Sequence, residues 1–220
     1  MAGGKPNCLI VCSSAVQGVS AQSFIPALTL THSAFNVQIA TPKGIQVEYT
    51  NVDESSRKWL NDFRSKPFSV PGKLENVDAD RYCALLIPNS LGALHDLAHD
   101  DQLAKLLNSF INAKKPICAI GHGVAGLLSA KTESSKSWSF KGYSVTAPSV
   151  VELCRTPEFS GLPIILEDSI KDNGATYSAS EPDCVHVVID RHLITAQNDQ
   201  STLPAVQNLI LFARQGKAKS

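Results

Sequence analysis

Three short runs of unbroken apolar residues punctuate the chain: Cys8-Leu9-Ile10-Val11-Cys12, Ala84-Leu85-Leu86-Ile87 and Ile117-Cys118-Ala119-Ile120. Each is too short for a buried helix and is bounded by Ser, Pro or Gly, which predicts strands covered on both faces. Phe35 to Ala40 alternates instead and stops at Thr41-Pro42-Lys43-Gly44, a fourth strand and a turn. Ile45 to Tyr49 reads as a further short strand.

Between these runs the spacing becomes helical. Ser20 is placed to cap a helix carrying Phe24 and Leu28 on one face, with Pro26 either delaying its start or kinking it. Glu54 to Phe63 is weakly helical. Leu103, Leu106, Leu107, Phe110 and Ile111 repeat at helical spacing behind Asp100 and Asp101, which suit the positive end of the helix dipole. Arg64 to Asp80, with Pro67, Pro71 and Gly72, reads as a long loop, a class that is usually functional or interfacial.

The last third is more broken. Lys131 to Lys136 is polar, Tyr143 to Thr146 predicts a short strand, and Pro148 opens a helix through Val151 and Leu153. Pro163–Leu166 and Thr176–Ser180 flank Asp172-Asn173-Gly174, which predicts a hairpin. Val185 to Ile189 and Leu193 to Thr195 are two strands joined across Asp190-Arg191-His192. Ser201 or Thr202 caps a final helix with Pro204 in its first turn and Val206, Leu209, Ile210 and Ala213 inward. Residues 1–6 and 215–220 are expected to fray. The alternation predicts an α/β domain over residues 1–220, a doubly wound and mostly parallel sheet with helices on both faces and some late antiparallel pairing.

Composition adds exclusions. Residues are 43% apolar and 18% charged, and twenty basic side chains balance twenty acidic ones. No global field favours nucleic acid or an anionic membrane. No apolar run approaches the roughly 18 residues that span a bilayer, and the first run is shorter than the roughly 7–15 of a signal-peptide core. A cytoplasmic protein without membrane insertion is expected. The six cysteines form no Cys-x-x-Cys pair and read as reduced, buried thiols. Neither a metal nor a cofactor is expected.

The chemistry of interest lies where the third apolar run breaks into Gly121-His122-Gly123, followed by Val124-Ala125-Gly126-Leu127-Leu128. Strand, tight turn and helix in that order outline a nucleophile elbow, whose apex residue sits on strained backbone and points into a pocket. Here the apex is Gly121, which has no side chain to point. Ligands in such sheets bind at the carboxyl ends of the strands, so the loop after the first strand, Pro88 to Gly92 and the elbow should meet there.

These segments, with Ala40-Thr41-Pro42-Lys43-Gly44 and Asp190 to Gln197, resemble the ThiJ/PfpI superfamily along nearly the whole chain. That superfamily includes relatives of the class I glutamine amidotransferases and of the parkinsonism-associated deglycase. The resemblance implies a flavodoxin-like, class I glutamine amidotransferase-like fold. Active members resemble Ala-Ile-Cys-His-Gly at the elbow, so their cysteine falls on Gly121. Their acidic partner falls on Gln22, the histidine of many members on Ala147 before Pro148, and the Gly-Gly of the oxyanion loop on Asn89-Ser90. By resemblance Gln22, Asn89, Ser90, Gly121, His122, Gly123 and Ala147 form a degenerate elbow pocket, with no catalytic residue left.

The residues support that reading independently, because nucleophilic attack needs a side chain at the apex. Gly121 still adopts positive φ with ease, and the amides after Gly123 offer a weak anion site. Cys118, three residues before the apex, reads as core. His122 reads as structural or binding, since it lacks a nucleophile and an acidic orienter. Ser13 and Ser14 could face the pocket. The resemblance further implies a homodimer and, through one superfamily member, an early-endosome assembly that links mRNA to a Rab-type GTPase. This chain would then supply a protein–protein surface, with no direct nucleic-acid contact. A hydrolase or glyoxalase-like enzyme and a small-anion sensor are the alternatives.

Overall fold

The computed structural model describes residues 4–132, 134 and 136–217, the side chains of 216 and 217 excepted. The fraying expected of residues 1–3 and 218–220 lies outside this range, as do Glu133 and Ser135 of the polar segment. Its strands are β1 (Asn7–Val11), β2 (Val19–Ser20), β3 (Asn36–Thr41), β4 (Tyr49–Thr50), β5 (Gly72–Lys73), β6 (Ala84–Ile87), β7 (Ile117–Ile120), β8 (Ser144–Val145), β9 (Thr176–Tyr177), β10 (Val187–Asp190) and β11 (Leu193–Ala196). Its helices are α1 (Ala21–Ala34), α2 (Glu54–Arg64), α3 (Asp101–Asn112), α4 (Val150–Leu153), α5 (Leu166–Asp172) and α6 (Thr202–Lys217).

Seven strands form one sheet in the order β10-β11-β7-β6-β1-β3-β5. All its pairings are parallel except β10 with β11. The direction of winding reverses at β1, between β6 and β3, the position where such sheets open a crevice. Side chains along β1 alternate between two cores: Leu9 and Val11 face one cluster with Leu85, Phe110 and Ala119, while Cys8, Ile10 and Cys12 face the other with Phe24, Leu86 and Cys118. Both faces are covered, which is why the run is apolar without a gap.

The hairpin of β10 and β11 is as the sequence indicates, with Arg191 at a φ of +57° in its turn. Pro26 sits inside α1, and Asp100 caps α3 through its carboxylate to the Leu103 amide at 2.7 Å. Several expectations are corrected. Asp172-Asn173-Gly174 is not a hairpin turn. It ends α5, with Gly174 at a φ of +80°, and β9 then pairs in parallel with β8. Asn-Gly serves either purpose, because a helix end and a tight hairpin both want positive φ. Of Ile45 to Tyr49 only Tyr49 enters a strand, and the long loop after Arg64 donates β5 to the sheet edge. The helix α6 continues through Gln215–Lys217. Cys154 and Cys184 are exposed and Cys83 is partly so, leaving Cys8, Cys12 and Cys118 as the buried thiols.

Candidate functional site

The elbow exists in outline. β7 ends at Ile120, Gly121 takes a φ of +54°, and the helix expected after the turn is a 3₁₀ helix over Gly121–Ser129. Gly123 lets this turn press onto the end of β6: a Cβ there would lie 2.4 Å from the Pro88 carbonyl oxygen. The loop after β6 therefore runs directly under the apex.

That contact brings Asn89 into the space an apex side chain would use. A Cβ built on Gly121 would fall 2.3 Å from Asn89 Oδ1 and 2.4 Å from its Cγ. The Asn89 side chain is held from both ends. Its Oδ1 accepts the His122 backbone N–H at 2.8 Å, and its Nδ2 donates to Asp199 Oδ1 at 2.8 Å. Its backbone is fixed as well: the amide donates to Ser23 Oγ at 3.1 Å, and the carbonyl accepts the Ser20 amide at 2.9 Å. The Asp199 carboxylate takes a second bond from Ser20 Oγ at 2.9 Å. Burial pushes its carboxyl above the usual carboxylate range, against the two hydrogen bonds that favour the charged form.

The other residues singled out by sequence are dispersed. Gln22 is exposed on the first turn of α1. Ser90 is buried, its Oγ donating to the Gly18 carbonyl at 2.8 Å, which ties two loops together. Ala147 is fully buried, its carbonyl accepting the Tyr177 hydroxyl at 3.0 Å. Asn89, Gly121, His122 and Gly123 do come together. Ser13 is buried with its Oγ accepting the Ala15 amide at 3.0 Å, and Ser14 binds Asp96 through both amide and hydroxyl. Cys118 is buried in β7, where burial pushes its thiol far up.

The His122 imidazole is pushed down to about 4 by burial, so it is neutral at ordinary pH, and its Nε2 is buried without a partner. Asn89 and His122 line a cleft of about 280 Å³ whose other walls come from β2, β4 and the region of α4. Asp199 went unnoticed in the sequence. Its one available signal was position, since it follows β11 at the carboxyl end of the sheet. Among the described residues no group of three His, Cys, Asp or Glu is placed to hold a metal.

The DJ-1/PfpI family model matches residues 21–211. A Xenopus laevis protein named glutamine amidotransferase-like class 1 domain-containing protein 1 is 58% identical over 208 residues, covering 94% of this chain and 90% of its own. The Homo sapiens protein of that name is 54% identical, covering 94% of each. Among solved structures, Rapid Encystment Protein 24 KDa of Francisella tularensis superimposes with a TM-score of 0.84 at 24% identity, over 94% of this chain and 99% of that one. Glyoxalase III of Candida albicans does so at 0.80 and 16% identity, over 94% and 96%. At such identities these two structures speak for the fold alone.

Proposed function

The chain belongs to the DJ-1/PfpI family, and on that footing we propose that it is a catalytically degenerate member acting as a binding and assembly subunit. The observation that carries the reading is Asn89. Its side chain stands where a nucleophile on residue 121 would stand, and its Oδ1 already occupies the backbone N–H of His122. Covalent catalysis at an elbow needs an apex side chain, and oxyanion stabilisation needs a free donor. Gly121 lacks the first, and Asn89 takes up the second at His122. Among the described residues the neutral His122 also has no acidic side chain as a hydrogen-bond partner to orient it as a base.

The setting is carried over from the resemblance to the superfamily member described above: a homodimer joined to other protein subunits, peripheral on early endosomes, in an assembly linking mRNA to a Rab-type GTPase. The zero net charge suits a protein–protein role better than a basic nucleic-acid face. No helix among the described residues is long and apolar enough to cross a membrane, which suits peripheral attachment through partners.

The test is the native size of the tagged protein in gentle cell lysate, with mass spectrometry of co-eluting chains and turnover assays on methylglyoxal and on activated esters. Elution in a large assembly with stoichiometric subunits and no turnover is expected. A lone dimer would remove the assembly part of the proposal. Turnover lost in His122→Ala would overturn the degenerate part.

A further inference from the structure

Resting on the non-catalytic reading of the elbow, we propose that the cleft beside it binds a small uncharged ligand bearing hydroxyl or carboxamide groups and discriminates against the matching carboxylate. The cleft measures about 280 Å³, just below the roughly 300 Å³ at which ligand pockets usually begin, which suits only a small ligand. Gln17, Thr50 and Asn51 line it, and their side chains hydrogen-bond no other described residue. Amides and a hydroxyl both donate and accept, so these groups are free to meet a polar ligand of either sense. Leu91, Leu153 and Leu162 supply apolar wall. A few uncommitted polar groups beside an apolar surface is the usual composition of a small-molecule site.

Charge decides which ligand. Among the described residues no lysine or arginine lines the cleft, whereas Glu158 does, and the Asp199 carboxylate stands directly behind Ser20 and Asn89. An anion entering would meet like charge with no counter-charge. The His122 amide, the elbow donor it would seek, is already capped by Asn89 Oδ1. That donor is thus closed by the chain itself. A hydroxyl or carboxamide suffers no such repulsion and loses less hydration on entry than a charged group does.

The experiment uses the full-length ¹⁵N-labelled protein and matched probe pairs: nicotinamide and nicotinate, lactamide and lactate, ribose and ribonate. At least one neutral probe should shift the Thr50, Asn51 and His122 amides saturably. Its carboxylate should bind about tenfold or more weakly, the scale that one like charge a few ångströms away imposes in a partly wet site. Glu158→Gln should narrow that gap. A carboxylate that binds as tightly as its neutral partner, or a full set of probes that leaves the cleft amides unmoved, overturns the proposal. The proton spectrum of the bound probe after prolonged incubation separates the two readings. An unchanged probe preserves both, while conversion to product overturns the non-catalytic reading and leaves the ligand class standing.

Discussion

Gly121→Ala is the sharpest probe of the elbow, because the added carbon must contend with both the backbone and Asn89. The φ of +54° at residue 121 costs an alanine about 1–2 kcal/mol. The new Cβ would lie 2.3 Å from Asn89 Oδ1, so the Asn89 side chain must leave. That breaks its bonds to the His122 amide and to Asp199. A hydrogen bond to a charged group is worth about 1.5–3 kcal/mol and a neutral one about 1 kcal/mol, part of it recovered from water in the cleft. A loss of roughly 3–5 kcal/mol is expected in urea unfolding, or a melting temperature roughly 6–20 °C lower for a chain of this size. The double-mutant cycle with Asn89→Gly isolates the contact. With Asn89 removed, Gly121→Ala should cost little beyond the backbone strain, giving a coupling of about 2–3 kcal/mol. A loss under about 1 kcal/mol, or additive single effects, would show that Asn89 does not hold the apex space. Gly121→Cys should likewise fold with reduced stability and gain no turnover, since Gln22 is exposed and Ala147 is sealed in the core.

Two further outcomes follow from burial. Burial lowers His122 from its ordinary 6.5 to about 4, so below pH 6.5 the unfolded chain binds a proton that the folded chain refuses. Its contribution is intact above about pH 6.5 and declines as pH falls toward 4, by about 2–3 kcal/mol. Asp199, raised by burial, acts oppositely and regains stability as pH falls through its folded value; His122→Gln should flatten the acid limb, and an imidazole that titrates near 6.5 by NMR would refute this. With iodoacetamide under native conditions, intact mass and peptide mapping should show Cys154 and Cys184 alkylated first and Cys8, Cys12 and Cys118 only on unfolding; selective native labelling of Cys118 would instead favour an enzyme built on that thiol.

The sequence made the sheet legible because β6, β7 and all of β1 after Asn7 are buried on both faces and carry no polar residue that would disguise them. The apex was legible too, since Gly121 interrupts a strand-turn-helix outline at one recognisable place. Asn89 was legible only as a position beside the elbow. That its side chain reaches across to the His122 amide depends on Gly123 admitting the β6 loop, a packing fact with no sequence period behind it. Asp199 lies 110 residues from the asparagine it holds. The error at Asp172-Asn173-Gly174 was avoidable: Leu166 and Ile170, both buried and four apart, already marked α5.

The shared space of Asn89 and Gly121 also bears on the routes by which this protein can change. Any side chain at residue 121 must first displace the asparagine, and trimming Asn89 alone leaves the His122 amide without its acceptor and the Asp199 carboxylate with only the Ser20 hydroxyl. Each single step therefore descends in stability, and the pair together still carries the backbone strain at residue 121. A lineage carrying this pair stands behind an epistatic ratchet, with an occupied apex reachable only by two coordinated substitutions, before any change at Gln22 or Ala147. Drift at this site is channelled toward the walls of the cleft, where Gln17, Thr50 and Asn51 can vary without disturbing the bonds that close the apex.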